Sequence, residues 1–159
     1  MKTEIPQLVE TVAGRLRERE AMLVCAESCT GGWIAKALTD IAGSSVWFDR
    51  GFVTYSNQSK QDMLGVTSET LDEHGAVSRE TVLEMARGAL SNSAAQFSVA
   101  VSGIAGPSGG TAEKPVGTVW IAWAGEGFAD AICEHFPGDR EAVRKATVLA
   151  VLQGLSDRL

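Results

Sequence analysis

Residues 23–33 read LVCAESCTGGW: an apolar run of strand length, then an acid, a hydroxyl, a thiol, a second hydroxyl and two glycines. The segment MLVCA (22–26) is short, apolar, and bounded by charge on one side and Gly31-Gly32 on the other, which predicts a buried strand. The next stretch, GWIAKALTDI (32–41), returns to helical spacing through Trp33, Ile34, Ala37, Leu38 and Ile41. A buried strand passing through a glycine turn into a helix is the building unit of an α/β domain.

Outward from that unit, the same alternation continues. Residues 5–19 form one amphipathic helix, with Leu8, Val9, Val12, Ala13 and Leu16 on a single face. AGSS (42–45) stops the second helix, and VWFDRGFVTYS (46–56) is β-branched and aromatic, which predicts one or two strand segments with Gly51 at a bulge. The middle of the chain reads as helical: a short piece near KQDML (60–64), another in SETLDEHG (68–75), and a long one in SRETVLEMARGAL (78–90). Ser68 and Ser78 stand where N-caps belong, and Gly75 where a helix stops. QFSVAVSGIAG (96–106) reads as a strand running into a glycine loop, GPSGGTAEKPVG (106–117), whose two prolines and four glycines continue neither element. TVWIAWAG (118–125) and DAICEHF (130–136) pair as a hairpin, and the chain closes with a long helix in GDREAVRKATVLAVLQGLSDRL (138–159). The expected fold is α/β: a three-layer α/β/α sandwich around a mixed, mostly parallel sheet of about five strands, as one domain over residues 1–159.

Composition narrows the functional classes. The 159 residues are 45% hydrophobic and 21% charged, and a formal net charge of -6 argues against a general nucleic-acid binder, which needs surplus Lys and Arg. No run approaches the roughly 20 apolar residues of a membrane span, and the first twenty residues lack the apolar block of a secretory signal. The expectation is a cytoplasmic protein with no membrane partner. Cys25, Cys29 and Cys133 are odd in number and lack zinc-site spacing, so free thiols are expected and no metal.

Chemistry is expected beyond the carboxyl ends of the parallel strands, where AESCTGG, SGIAGPSGG and FPGDR converge. None is a phosphate-binding Walker loop, because no G-K-[ST] follows the glycines. Ser28 lies on the strand-to-helix turn, with Thr30, Gly31 and Gly32 behind it; such a turn exposes a hydroxyl beside free backbone N–H groups. Two readings stand here: a nucleophile, or a helix cap made by Ser28 or Thr30. A serine needs a base. His74 and His135 read as helix-end and strand-end residues, whereas Lys60, just past a strand end, could be held in the cleft as the base of a Ser–Lys pair. Tyr55 either joins that network or packs at a strand end. Arg140 either grips an anion with the helix N-terminus or lies in solvent while Asp139 caps.

Taken together, AESCTGGWIAKALTDIAGSS, RGFVTYSNQSKQDMLGV, HGAVS, VSGIAGPSGGTAEKPVGTVWIA and FPGDRE resemble the CinA carboxy-terminal domain family, in order and over nearly the whole chain. The resemblance implies an α/β/α sandwich that hydrolyses nicotinamide mononucleotide to nicotinate mononucleotide and ammonia, with a Ser–Lys site and no metal or other cofactor. By that match Ser28 is the nucleophile, Lys60 its base and Tyr55 their support. By the same match the SGIAGP loop (Ser102, Gly103, Ala105, Gly106) and Arg140 hold the nucleotide. The chemistry of the residues adds Thr30, Gly31 and Gly32 at the helix N-terminus as substrate-binding candidates, and Trp33 or Phe52 against a ring. Larger members carry an additional amino-terminal domain, whose activities are not transferred to this chain. Two rivals remain: Cys29 as nucleophile with Glu27 and Lys60, and a non-catalytic nucleotide-binding domain that regulates a partner. A two-fold homodimer is compatible with a small enzyme of this kind.

Overall fold

A computed structural model describes residues 4–159. Along the chain lie α1 (Ile5–Glu18), β1 (Leu23–Glu27), α2 (Trp33–Thr39), a 3-10 turn (Ser44–Val46), β2 (Phe48–Val53), α3 (Asn57–Leu64), α4 (Ser68–His74), α5 (Arg79–Ser91), β3 (Phe97–Gly103), β4 (Thr118–Gly125), β5 (Phe128–His135) and α6 (Arg140–Arg158). The strands form one sheet in the order β2-β1-β3-β4-β5. β1 runs parallel to β2 and β3, and β4 antiparallel to β3 and β5, so β4 alone opposes the other four among the described residues.

Because side chains alternate along a strand, the sheet divides the core in two. Leu23, Cys25, Val99, Val101, Ile121 and Trp123 face α1, α2 and α6, while Val24, Ala26, Ala100, Ala122 and Ala124 face α3 and α5. That makes three layers, and it explains why every residue of β1 is buried. The second face is mostly alanine, which lets α5 lie close to the sheet. Gly88 of α5 extends this closeness to α3, since a Cβ there would collide with the Leu64 carbonyl. On the bulky face Gly154 of α6 performs the same role against the Trp123 ring. The Trp123 Nε1 donates to Val151 O at 3.0 Å, so the indole is buried with its polar edge satisfied.

Four local expectations shift. The cap of α4 is Thr67, whose hydroxyl accepts from Thr70 N, one residue before Ser68; Ser78 does cap α5. The irregularity in β2 falls at Asp49, between the pairs Leu23–Phe48 and Val24–Arg50, and Gly51 pairs regularly with Cys25. The hairpin turn is only Glu126-Gly127. Most important for function, α3 starts at Asn57 rather than near residue 60, because Ser56 and Ser59 form a reciprocal capping box. Lys60 therefore sits one turn into the helix rather than at its start. No helix among the described residues is long and apolar enough to cross a membrane.

Candidate active site

β1 ends at Glu27 and α2 begins at Trp33, so five residues, 28–32, carry the chain out of the sheet. The Glu27 side chain organises them. Its Oε1 accepts from Thr30 Oγ1 at 2.6 Å, Gly32 N at 3.2 Å and Ile34 N at 2.9 Å, and its Oε2 accepts from Ala35 N at 2.9 Å. A carboxyl group from the strand end thus satisfies the helix N-terminal amides that an N-cap side chain would otherwise serve. The N-cap residue itself, Gly32, has φ 108° and offers no side chain. Neither serine nor threonine is consumed in capping, and the Ser28 hydroxyl is left for other work.

It points to Lys60. Lys60 Nζ donates to Ser28 Oγ at 3.0 Å and to Thr54 O at 2.8 Å, with Lys60 only 1% exposed and Ser28 8% exposed. Burial pushes the Lys60 ammonium below the 10.5 of an unperturbed lysine, because the charged form loses hydration; the nearby Cys29 sulfur acts weakly the other way. Both buried thiols are moved in the opposite sense. Burial lifts Cys29 to about 11, and burial with the Glu27 carboxyl beside it lifts Cys25 well above the usual thiol range.

Ser28, Cys29 and Lys60 line a cavity of about 270 Å3. Its far wall is the β3 end and the loop after it, through Ser102, Gly103, Ala105 and Gly106. Tyr55 and Arg140 stand at its mouth: Arg140 Nη2 donates to Tyr55 Oη at 2.9 Å, and Nη1 donates to Gly106 O at 2.8 Å. Asp139 does cap α6, through a bond from Ala142 N, and Arg140 still reaches the cavity. Tyr55 is 61% exposed and touches Arg140 rather than Lys60. Among the described residues the backbone N–H groups of Cys29, Ala105 and Gly106 have no acceptor in another residue.

Eight of the residues expected at the site thus meet at one cavity. Thr30, Gly31 and Gly32 do not: they line a separate groove with Trp33, while Phe52 packs against the core on the α3 and α5 side of the sheet. Sequence reasoning passed over Asn57, which lines the cavity from the first turn of α3, a helix start that the local sequence does not show. It also gave Glu27 a role only in a rival mechanism. Its position as the last residue of a strand, just before a glycine turn, was the available clue. No group of three His, Cys, Asp or Glu side chains among the described residues is placed to hold a metal ion.

The model of the CinA C-terminal domain matches residues 5–159, and the chain belongs to that family. It is 56% identical over 156 residues to the nicotinamide-nucleotide amidohydrolase PncC of Escherichia coli strain K12, covering 96% of this chain and 93% of the relative. It is 51% identical over 151 residues to the protein of the same name from Pseudomonas putida, covering 95% and 94%. Among solved structures, the competence/damage inducible protein CihA from Agrobacterium tumefaciens superposes with a TM-score of 0.92 at 49% identity, covering 98% of this chain and 97% of that one.

Proposed function

We propose that this chain is an amidohydrolase that converts nicotinamide mononucleotide and water to nicotinate mononucleotide and ammonia. Its amide chemistry follows the names of its relatives. The observation that carries the mechanism is the 3.0 Å contact between Lys60 Nζ and Ser28 Oγ, buried at the cavity wall. A neutral Lys60 amine takes the Ser28 proton as Oγ attacks the carboxamide carbon. The tetrahedral oxyanion is met by the free N–H of Cys29, the residue after the nucleophile. Collapse breaks the C–N bond, and the Lys60 ammonium returns its proton to the departing nitrogen, which leaves as ammonia. Water then attacks the Ser28 ester, giving one proton to Lys60, which passes it to Ser28 Oγ as the ester bond breaks; the acid product departs as a carboxylate, its remaining proton going to the released ammonia or to solvent.

Arg140, with the free amides of Ala105 and Gly106, supplies donors for the 5′-phosphate at the other end of the cavity. Ser102, at the β3 end, and Tyr55, through its bond to Arg140, complete the walls. The Cys29 alternative is disfavoured by a thiol held near 11 and by a Glu27 carboxyl already bonded along the N-terminus of α2. The test is ammonia release from purified protein given nicotinamide mononucleotide, nicotinamide riboside or nicotinamide. Release that needs the phosphate and falls at least about 1,000-fold in Ser28→Ala supports the reading. Full activity in Ser28→Ala removes Ser28, and no release from any of the three by folded protein removes the activity.

A further inference from the structure

Arg140 faces the cavity; one helical turn later on α6, Arg144 reaches the back of the turn that carries Ser28. Its Nε donates to Cys29 O at 3.0 Å and its Nη2 donates to Thr30 O at 2.9 Å. The guanidinium also lies 5.6 Å from the ring centroid of Trp33, the first residue of α2. An open groove of about 500 Å3, lined by Thr30, Gly31, Gly32, Trp33, Lys36 and Arg144, gives it access to solvent.

The carbonyls of this turn can be counted. Ser28 O accepts from Gly31 N at 3.0 Å, and Thr30 O accepts from Trp33 N at 3.1 Å as well as from Arg144. Cys29 O has Arg144 as its partner and no other among the described residues. A peptide unit is planar, so a held Thr30 C=O also orients the Gly31 N–H, which bonds to Ser28 O and so sets the peptide plane that carries the Cys29 N–H. Glu27 holds the N–H side of the same turn through Gly32, and the Thr30 hydroxyl besides. Ser28 and the Cys29 N–H lie between the end of β1 at Glu27 and these holds.

We propose that Arg144 is a positioning residue, acting through the Cys29 and Thr30 carbonyls to keep the Ser28 hydroxyl in reach of Lys60 and the Cys29 N–H beside the developing oxyanion. It lies outside the cavity lining and touches no substrate. The inference rests on the function proposed above for the reacting groups, and it is tested with and without the nucleotide. Loss of the paired bonds lets the turn drift, and displacements near 1 Å at reacting atoms cost about 100-fold in rate. Arg144→Ala should therefore lower kcat about 100-fold while KM for nicotinamide mononucleotide stays within about two-fold, because its cavity contacts are intact. Millimolar guanidinium ion, entering the open groove, should recover part of that kcat. An unchanged kcat, or a loss that appears in KM and ignores guanidinium, overturns the proposal.

Should Arg144→Ala not fold, Arg144→Lys carries the test, since one ammonium cannot serve both carbonyls in Arg geometry. A kcat about ten-fold down at constant KM supports the role, and a wild-type kcat overturns it. A fluorophosphonate that labels Ser28, followed by mass spectrometry, supplies a readout free of the substrate. Slower labelling in the variant supports the role, and equal rates overturn it. Wild-type protein that labels but releases no ammonia refutes the substrate alone, and Arg144 is then judged by labelling.

Discussion

Glu27 and Lys60 are both buried ionisable side chains next to the same serine, yet their surroundings differ in kind. Glu27 meets one hydroxyl, three backbone amides and the Cys25 thiol, so both of its oxygens are occupied by donors that the fold itself must place. Lys60, which as an ammonium has three hydrogens to give, finds two oxygens, Ser28 Oγ and Thr54 O. A buried group with a full set of partners is scaffolding. One buried with too few acceptors for its charged form is pushed towards its neutral form, and for an amine the neutral form is the base. The two residues thus divide the work: Glu27 shapes the turn, and Lys60 reacts with what the turn presents.

The largest effect expected from this division is in Lys60→Met. Turnover should fall at least about 1,000-fold while thermal stability holds, because an apolar chain of similar length replaces a group that is costly to bury. Lys60→Arg should be as inactive, since a guanidinium does not give up its proton. A Lys60→Met protein with substantial turnover would break the comparison. Glu27→Gln should behave in the reverse order. Its amide nitrogen faces donors rather than acceptors, which costs about 3 kcal/mol and lowers Tm by roughly 6–12 °C at this chain length. Calorimetry should show that loss, and turnover measured well below Tm should survive better than in Lys60→Met.

A smaller effect is one of pH. Because the folded-state pKa of Lys60 is depressed, the native protein binds fewer protons than the unfolded chain between that value and the 10.5 of free lysine. Lys60 therefore adds a contribution to stability that rises with pH across that window, and it is most unfavourable below it, where both states are protonated. The rate follows the same direction: kcat/KM climbs as the amine loses its proton, with a midpoint below 10.5. A pH–rate profile of Lys60-intact protein checks it. The smallest effect is expected in Cys29→Ala, where a thiol titrating near 11 is replaced without loss of the Cys29 backbone N–H. Turnover should stay within about three-fold, and a collapse of activity would return Cys29 to contention as nucleophile.

Much of this was legible in the residues alone. LVCAESCTGGW announced a doubly buried strand followed by a turn and helix, and the alternation around it gave the sandwich, because apolar periodicity reflects burial directly. The start of α3 was hidden, since Ser56-Asn57-Gln58-Ser59 has no apolar period and its helix depends on a reciprocal pair of caps. Which way a peptide faces in a turn is also unwritten locally. Thr30, Gly31 and Gly32 looked like a ligand cradle, but Glu27 draws the Thr30 hydroxyl and the Gly32 N–H towards itself and Arg144 takes the Thr30 carbonyl. The pairing of Ser28 with Lys60 spans 32 positions in sequence and comes together only because β1 and β2 lie parallel, with their carboxyl ends side by side.

The central claim is that Lys60 gives up its proton more readily than an ordinary lysine. The chain has five lysines, so a carbon-13 label at Cε, titrated by NMR in the wild type and assigned by comparison with Lys60→Met, isolates this one. The account predicts a Lys60 midpoint below 10.5 that coincides with the acid limb of kcat/KM, and a midpoint at or above 10.5 would contradict it.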